Sequence, residues 1–139
     1  MKKFPNIPKT WEELVKLREY LTDCDASFLR LPEDKLLYET YAKSISRQEM
    51  LNSIYREIGN RNIAILLNQF PHTNILKNLP NITNYCLWSK TGPLNRSQIE
   101  KIIDMRFKNP RTFYMERKVN HKSVPEIWHC HIYVENQNK

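Results

Sequence analysis

An α+β fold with a mainly antiparallel sheet is the class this sequence predicts, and three observations predict it. The first 60 residues carry helix-start signals and apolar stripes at helical spacing. Beyond about residue 61, apolar and β-branched residues come in short runs of strand length, interrupted by one helical stretch. The length, 139 residues, suits one hydrophobic core rather than two, so residues 1–139 are read as a single domain with a helical region (1–60) and a sheet region (61–139).

The elements follow in order. Thr10-Trp11-Glu12-Glu13 has capping-box form, a Thr and a Glu three residues on that satisfy each other's free amides, and Trp11, Leu14, Val15 and Leu21 then share a helical face. Pro32 suits the first turn of a second helix carrying Leu36, Leu37, Tyr41, Ala42 and Ile45. Ser46-Arg47-Gln48-Glu49 is another capping box, ahead of a stripe of Met50, Leu51, Ile54, Tyr55 and Ile58 that Gly59 can stop. Residues 62–68 and 83–89 read as strands joined by a connection rich in Pro and Asn. Gly92-Pro93 precedes a helix over about 95–107 with Ile99, Ile102, Ile103 and Phe107 on one side, and strands over 111–118 and 126–134 complete the chain.

Composition excludes several functional classes. The longest unbroken apolar run, Ile63–Leu67, is far short of the roughly 18 residues of a membrane span, and no apolar signal core follows Met1-Lys2-Lys3, so a cytoplasmic or nuclear location is expected. Cys24, Cys86 and Cys130 are odd in number and widely spaced, which fits reduced thiols better than a disulfide framework or a zinc finger. Two glycines, Gly59 and Gly92, are too few for a P-loop or a Gly-rich dinucleotide turn, so any nucleotide is held by side chains or isolated amides. The formal charge is +7, and residues 89–139 hold 10 basic against 5 acidic side chains, which makes that part the one suited to an anion.

The last strand is the most informative segment. In Ile127-Trp128-His129-Cys130-His131-Ile132-Tyr133-Val134 the pleat puts Trp128, Cys130, Ile132 and Val134 on one apolar face and His129, His131 and Tyr133 on the other. Successive members of that polar row stand about 7 Å apart. Such a row can hold an anion, coordinate a metal or present a ring nitrogen as nucleophile; the plain alternative is a solvated sheet face. A metal needs further ligands, and nothing in the spacing of His72, His121 or Asp104 selects them, so phosphate chemistry ranks ahead and neither a metal nor a cofactor is expected. Asn68-Gln69-Phe70-Pro71-His72 can aim an amide into a cleft, or simply cap a loop. Trp88-Ser89-Lys90 offers a ring for stacking and a cation for phosphate, though a Trp there is more often core.

These pieces together resemble the N-acetylglucosamine-induced protein family. The run consists of Thr10-Trp11-Glu12-Glu13-Leu14, Leu29-Arg30-Leu31-Pro32-Glu33 with Tyr38, Leu67-Asn68-Gln69-Phe70-Pro71, Leu87-Trp88-Ser89-Lys90, and Ser123-Val124-Pro125 with His129-Cys130-His131-Ile132. The part beyond residue 60 also resembles the histidine-triad fold. That resemblance implies His131 as the nucleophile forming a nucleotidyl-histidine, His129 as the preceding triad member and Asn68 as a ribose or phosphate contact. Tyr133 stands at the third triad position, where it can donate a hydrogen bond but cannot shuttle a proton at neutral pH, and Asn84 stands where a His is often found. The expectation is a HIT-like protein that binds a nucleotide or sugar-phosphate, with Tyr133 orienting the phosphate and Lys90 and Arg117 supplying charge, and that hydrolyses or transfers its ligand through His131. The alternative is a non-catalytic module whose basic 106–122 segment binds RNA or a protein.

Overall fold

A computed structural model of the chain describes residues 4–108 and 110–136. Helices come first, then a four-stranded antiparallel sheet, as the class predicts. The elements are α1 (Trp11–Lys16), α2 (Arg18–Asp23), α3 (Pro32–Ser44), α4 (Arg47–Ile58), β1 (Ile63–Leu67), β2 (Ile82–Ser89), α5 (Arg96–Arg106), β3 (Thr112–Met115) and β4 (Trp128–Glu135), with 3-10 turns at Ala26–Phe28 and Val119–His121. The strand order is β1-β2-β4-β3, so β4, with its two histidines, is an interior strand.

Local sequence explains most boundaries. Ser46 and Glu49 close a full capping box on α4, Asn95 and Gln98 close one on α5, and Gly59 at φ 70° ends α4. Four expectations are corrected. Thr10 does accept from the Glu13 amide, but the Glu13 carboxylate takes the Lys9 N–H, so the first box is half formed. The first helix is broken at Leu17, whose N–H bonds Leu14 O at 3.0 Å, and Val15 faces outward. The apolar stripe of α3 is not a core stripe: Leu36 and Leu37 are each 62% exposed. The third strand also ends early, because the Lys118 amide leaves the sheet to bond Thr22 O of α2 at 2.8 Å.

Register assigns each face. Trp88 pairs with His129, Cys86 with His131, Asn84 with Tyr133, and Tyr133 in turn with Phe113, so all of these share one face. On the other face Leu87, Trp128, Cys130, Ile132 and Val134 pack on Ile99 and Ile103 of α5, as the alternation predicts. The histidine face is covered at one end, where Tyr133, Phe113 and Met115 share a core with Leu14, Leu21, Cys24 and Phe28 from the helical region. The two regions of the chain thus share a core. The polar row is therefore not an open surface: His129 and His131 are 6% and 7% exposed, and Tyr133 is fully buried. No described helix is long and apolar enough to cross a membrane.

Candidate functional site

The histidine row lines a hollow roofed by the helical region. One part, about 190 Å³, lies among Arg30, Tyr38, His72, Arg117, His129 and His131. A second, about 110 Å³, is lined by Tyr41, Ile54, Phe70 and Trp88 and shares Arg30, Tyr38, His129 and His131 with the first. The period-two pleat of β4 therefore brings both imidazoles to one cavity.

A third imidazole, His72, joins them from the loop after β1. Its ring centroid lies 4.3 Å from that of His131, and its Nδ1 is 2.6 Å from the Tyr133 hydroxyl. Asn84 sets this loop: its Oδ1 accepts both the His72 N–H (3.1 Å) and the Asn68 side-chain amide (2.9 Å). Asn84, at a position where the resemblance implies a His, thus helps bring a His in from elsewhere in the chain. The buried phenolic proton needs an acceptor, and His72 Nδ1 provides it, which leaves the His72 proton on Nε2.

Tautomers follow from the remaining partners. His129 Nδ1 donates to the Ile127 carbonyl at 3.0 Å, so its Nε2 carries a lone pair. His131 Nδ1 lies 3.7 Å from Cys86 Sγ, a weak contact that engages the same ring position. Burial holds all three imidazoles below their ordinary value, His72 and His131 well below it, with the neighbouring imidazole adding to the effect at each of those two. They are neutral at pH 7. Burial pushes the Tyr133 phenol well above its usual range and the Cys86 thiol up to about 12, so neither is a thiolate or phenolate nucleophile.

The charge around these neutral rings is positive. Arg117 is 5% exposed; its Nη1 donates to Leu21 O at 2.7 Å and lies 3.3 Å from Cys24 Sγ, while its Nη2 is buried with no partner among the described residues. Arg30 donates from Nε to Phe70 O at 2.7 Å and lies over the Tyr38 ring. Neither guanidinium has a carboxylate partner among the described residues, and burial lowers the Arg30 value, with Arg117 adding its repulsion. By contrast Lys122, at the same cavity, is paired with Glu116 at 2.7 Å.

The other expected contacts lie elsewhere. Asn68 spends its side chain on Asn84 and on the Phe70 N–H, and faces a different groove from the histidines. Lys90 bonds Gly59 O and ties the end of β2 to the end of α4. Each polar head has a backbone or amide partner, and neither residue lines the hollow that holds the histidines. Tyr133 supports His72 and does not line either part of the hollow. Trp88 stacks on His129 at 4.3 Å and 28°. His121 lines the larger part of the hollow but is paired with Asp23, and Asp104 is exposed on α5, away from the sheet's histidine face. Among the described residues no group of three or more His, Cys, Asp or Glu is placed to hold a metal ion. Sequence reasoning assigns Arg30 no role and weighs His72 only as a metal ligand, because both sit in irregular segments, where period carries no information. An Arg set between Leu29 and Leu31 was the one available signal.

Fold and site together define an α+β protein with a covered, imidazole-lined hollow. Among solved structures the chain is similar to the crystal structure of HTC1, with a TM-score of 0.63 and 17% identity over 91% of this chain and 85% of that one. At that identity the likeness shows the fold alone. No family model matches the chain, and a search of curated proteins gives no match.

Proposed function

We propose that the hollow binds the phosphate of a small phosphorylated molecule, a nucleotide or sugar-phosphate, in a HIT-like protein of the N-acetylglucosamine-induced type. The observation that carries this reading is Arg117, whose buried Nη2 has no partner among the described residues and which lines the same part of the hollow as His72, His129 and His131. A buried polar donor without an acceptor is costly, about 1–3 kcal/mol and more when charged, and an anionic oxygen supplied by a ligand offsets that cost. Arg30 adds a second positive charge with no carboxylate partner among the described residues; Glu39, which lines the same part of the hollow, is paired with Lys35.

Covalent turnover is the finer part of the proposal. The His131 Nε2 lone pair attacks the phosphorus, the P–O bond to the leaving group breaks, and the leaving group takes a proton from water. Water then cleaves the P–N bond and restores the imidazole. Neutral imidazoles suit this step, because a protonated ring has no lone pair to give.

The segment 106–122 supports this reading over nucleic-acid binding. Arg111 is tied to Glu12 and Glu135, Lys118 to Asp23 and Lys122 to Glu116, so several of its cations are already matched by carboxylates. The test is to incubate the protein with nucleoside and dinucleoside polyphosphates labelled at the α-phosphate and quench in denaturant. An acid-labile, base-stable label on wild type that is absent from His131→Ala is expected. Absence of label and of turnover across the panel would remove the covalent step and leave binding to be judged by titration.

A further inference from the structure

The two parts of the hollow differ in chemistry. The larger is lined by both guanidiniums, Arg30 and Arg117; the smaller shares Arg30 and is also lined by Glu57 and Gln69, but most of its wall is rings and aliphatic groups: Tyr38 and Tyr41 of α3, Ile54 of α4, Phe70 and Trp88. The walls are ordered against one another, with Tyr38 edge-on to Phe70 at 5.1 Å and 79° and Tyr41 tilted against Phe70 at 5.3 Å. Both parts open onto His129 and His131. A phosphate held between the arginines and the imidazoles therefore has its ester substituent next to an apolar, aromatic chamber. Size limits the substituent. At about 110 Å³ the chamber is near the roughly 150 Å³ of an apolar cavity that holds one benzene, and it is short of what a fused bicycle needs.

We propose that the site takes phosphate esters whose organic part places one flat six-membered ring, aryl or pyrimidine-like, in the α3–α4 chamber. This rests on the anion-binding reading above and adds the class of substituent. Rings prefer offset or edge contacts with other rings, and α3 and α4 supply them from the helical region.

The experiment is a calorimetric titration with inorganic phosphate, phenyl phosphate and 1-naphthyl phosphate. Phenyl phosphate is expected to bind about tenfold more tightly than inorganic phosphate, the gain of one well-packed ring, and 1-naphthyl phosphate to lose that gain. Ile54→Trp, which fills the chamber from a half-buried position, is expected to bring phenyl phosphate down to the inorganic phosphate value. Tyr41→Ala provides a second variant that lessens the gain by removing a wall rather than filling the space. Circular dichroism establishes that each variant is folded. Phenyl phosphate binding no more tightly than phosphate, naphthyl phosphate binding more tightly than phenyl, or both variants keeping the full gain would overturn the ring chamber alone. Failure of all three ligands to bind wild type would overturn the anion site as well.

Discussion

Three imidazoles buried neutral make the folded state sensitive to acid. His72, His129 and His131 all have folded values below the ordinary 6.5, so below that pH the unfolded chain binds protons that the native chain refuses. Stability is fully present above pH 6.5 and is lost as pH falls toward the folded values. Each histidine adds up to about 1.4 kcal/mol per pH unit within that window. Urea titrations between pH 7 and 5 are expected to show this slope, and His131→Asn to lower it; a flat profile would mean that the rings are solvated. Tyr133→Phe is expected to cost about 1–2 kcal/mol, since it leaves the buried His72 Nδ1 without its donor. Period two was enough to place His129, His131 and Tyr133 on one face. It could not say that this face is covered, because the cover comes from residues more than 90 positions earlier, such as Leu21, whose carbonyl receives Arg117.

At the level of elements, α3 and α4 matter more for the hollow than for the core. No α3 residue is buried, and α4 buries Met50 and Ile58, yet the two helices supply Tyr38, Tyr41 and Ile54 to the cavity wall. The N-terminus of α4 is held by its capping box and by Arg47, which donates to Glu126 and to Ser123 O next to the last strand. Ser46→Ala is expected to lower stability by about 1 kcal/mol, measured by chemical denaturation, and a change below about 0.3 kcal/mol would mean that this end does not set the helix. Helix starts were the most legible elements in the sequence, because a cap is local chemistry: Ser46 and Asn95 stand as helix starts where they were read. Leu36 and Leu37 were misread because a stripe says which residues share a side of a helix, not whether anything packs there. Strand ends moved for a similar reason, as Lys118 is drawn from the sheet by a carbonyl on α2.

For the molecule as a whole, the sheet carries cover on both faces, α5 on one and the helical region on the other. Phe28 is central to the second layer, with its ring 5.2 Å from Tyr20 at 87° and its side chain in the core that includes Phe113 and Tyr133. Phe28→Ala is expected to cost about 3–5 kcal/mol and to shift one cooperative melting transition; two separated transitions would show that the layers unfold independently. This arrangement leaves Arg117, buried, and Arg30, half-buried, with no carboxylate partner among the described residues, and an anion in the hollow is the partner expected. Calorimetric titration of inorganic phosphate into wild type, Arg117→Met and Arg30→Met tests that expectation most directly. One saturable site in wild type, weakened about tenfold or more in each folded variant, is the result expected. Wild type that takes up no phosphate, or variants that bind as well as wild type, would contradict it.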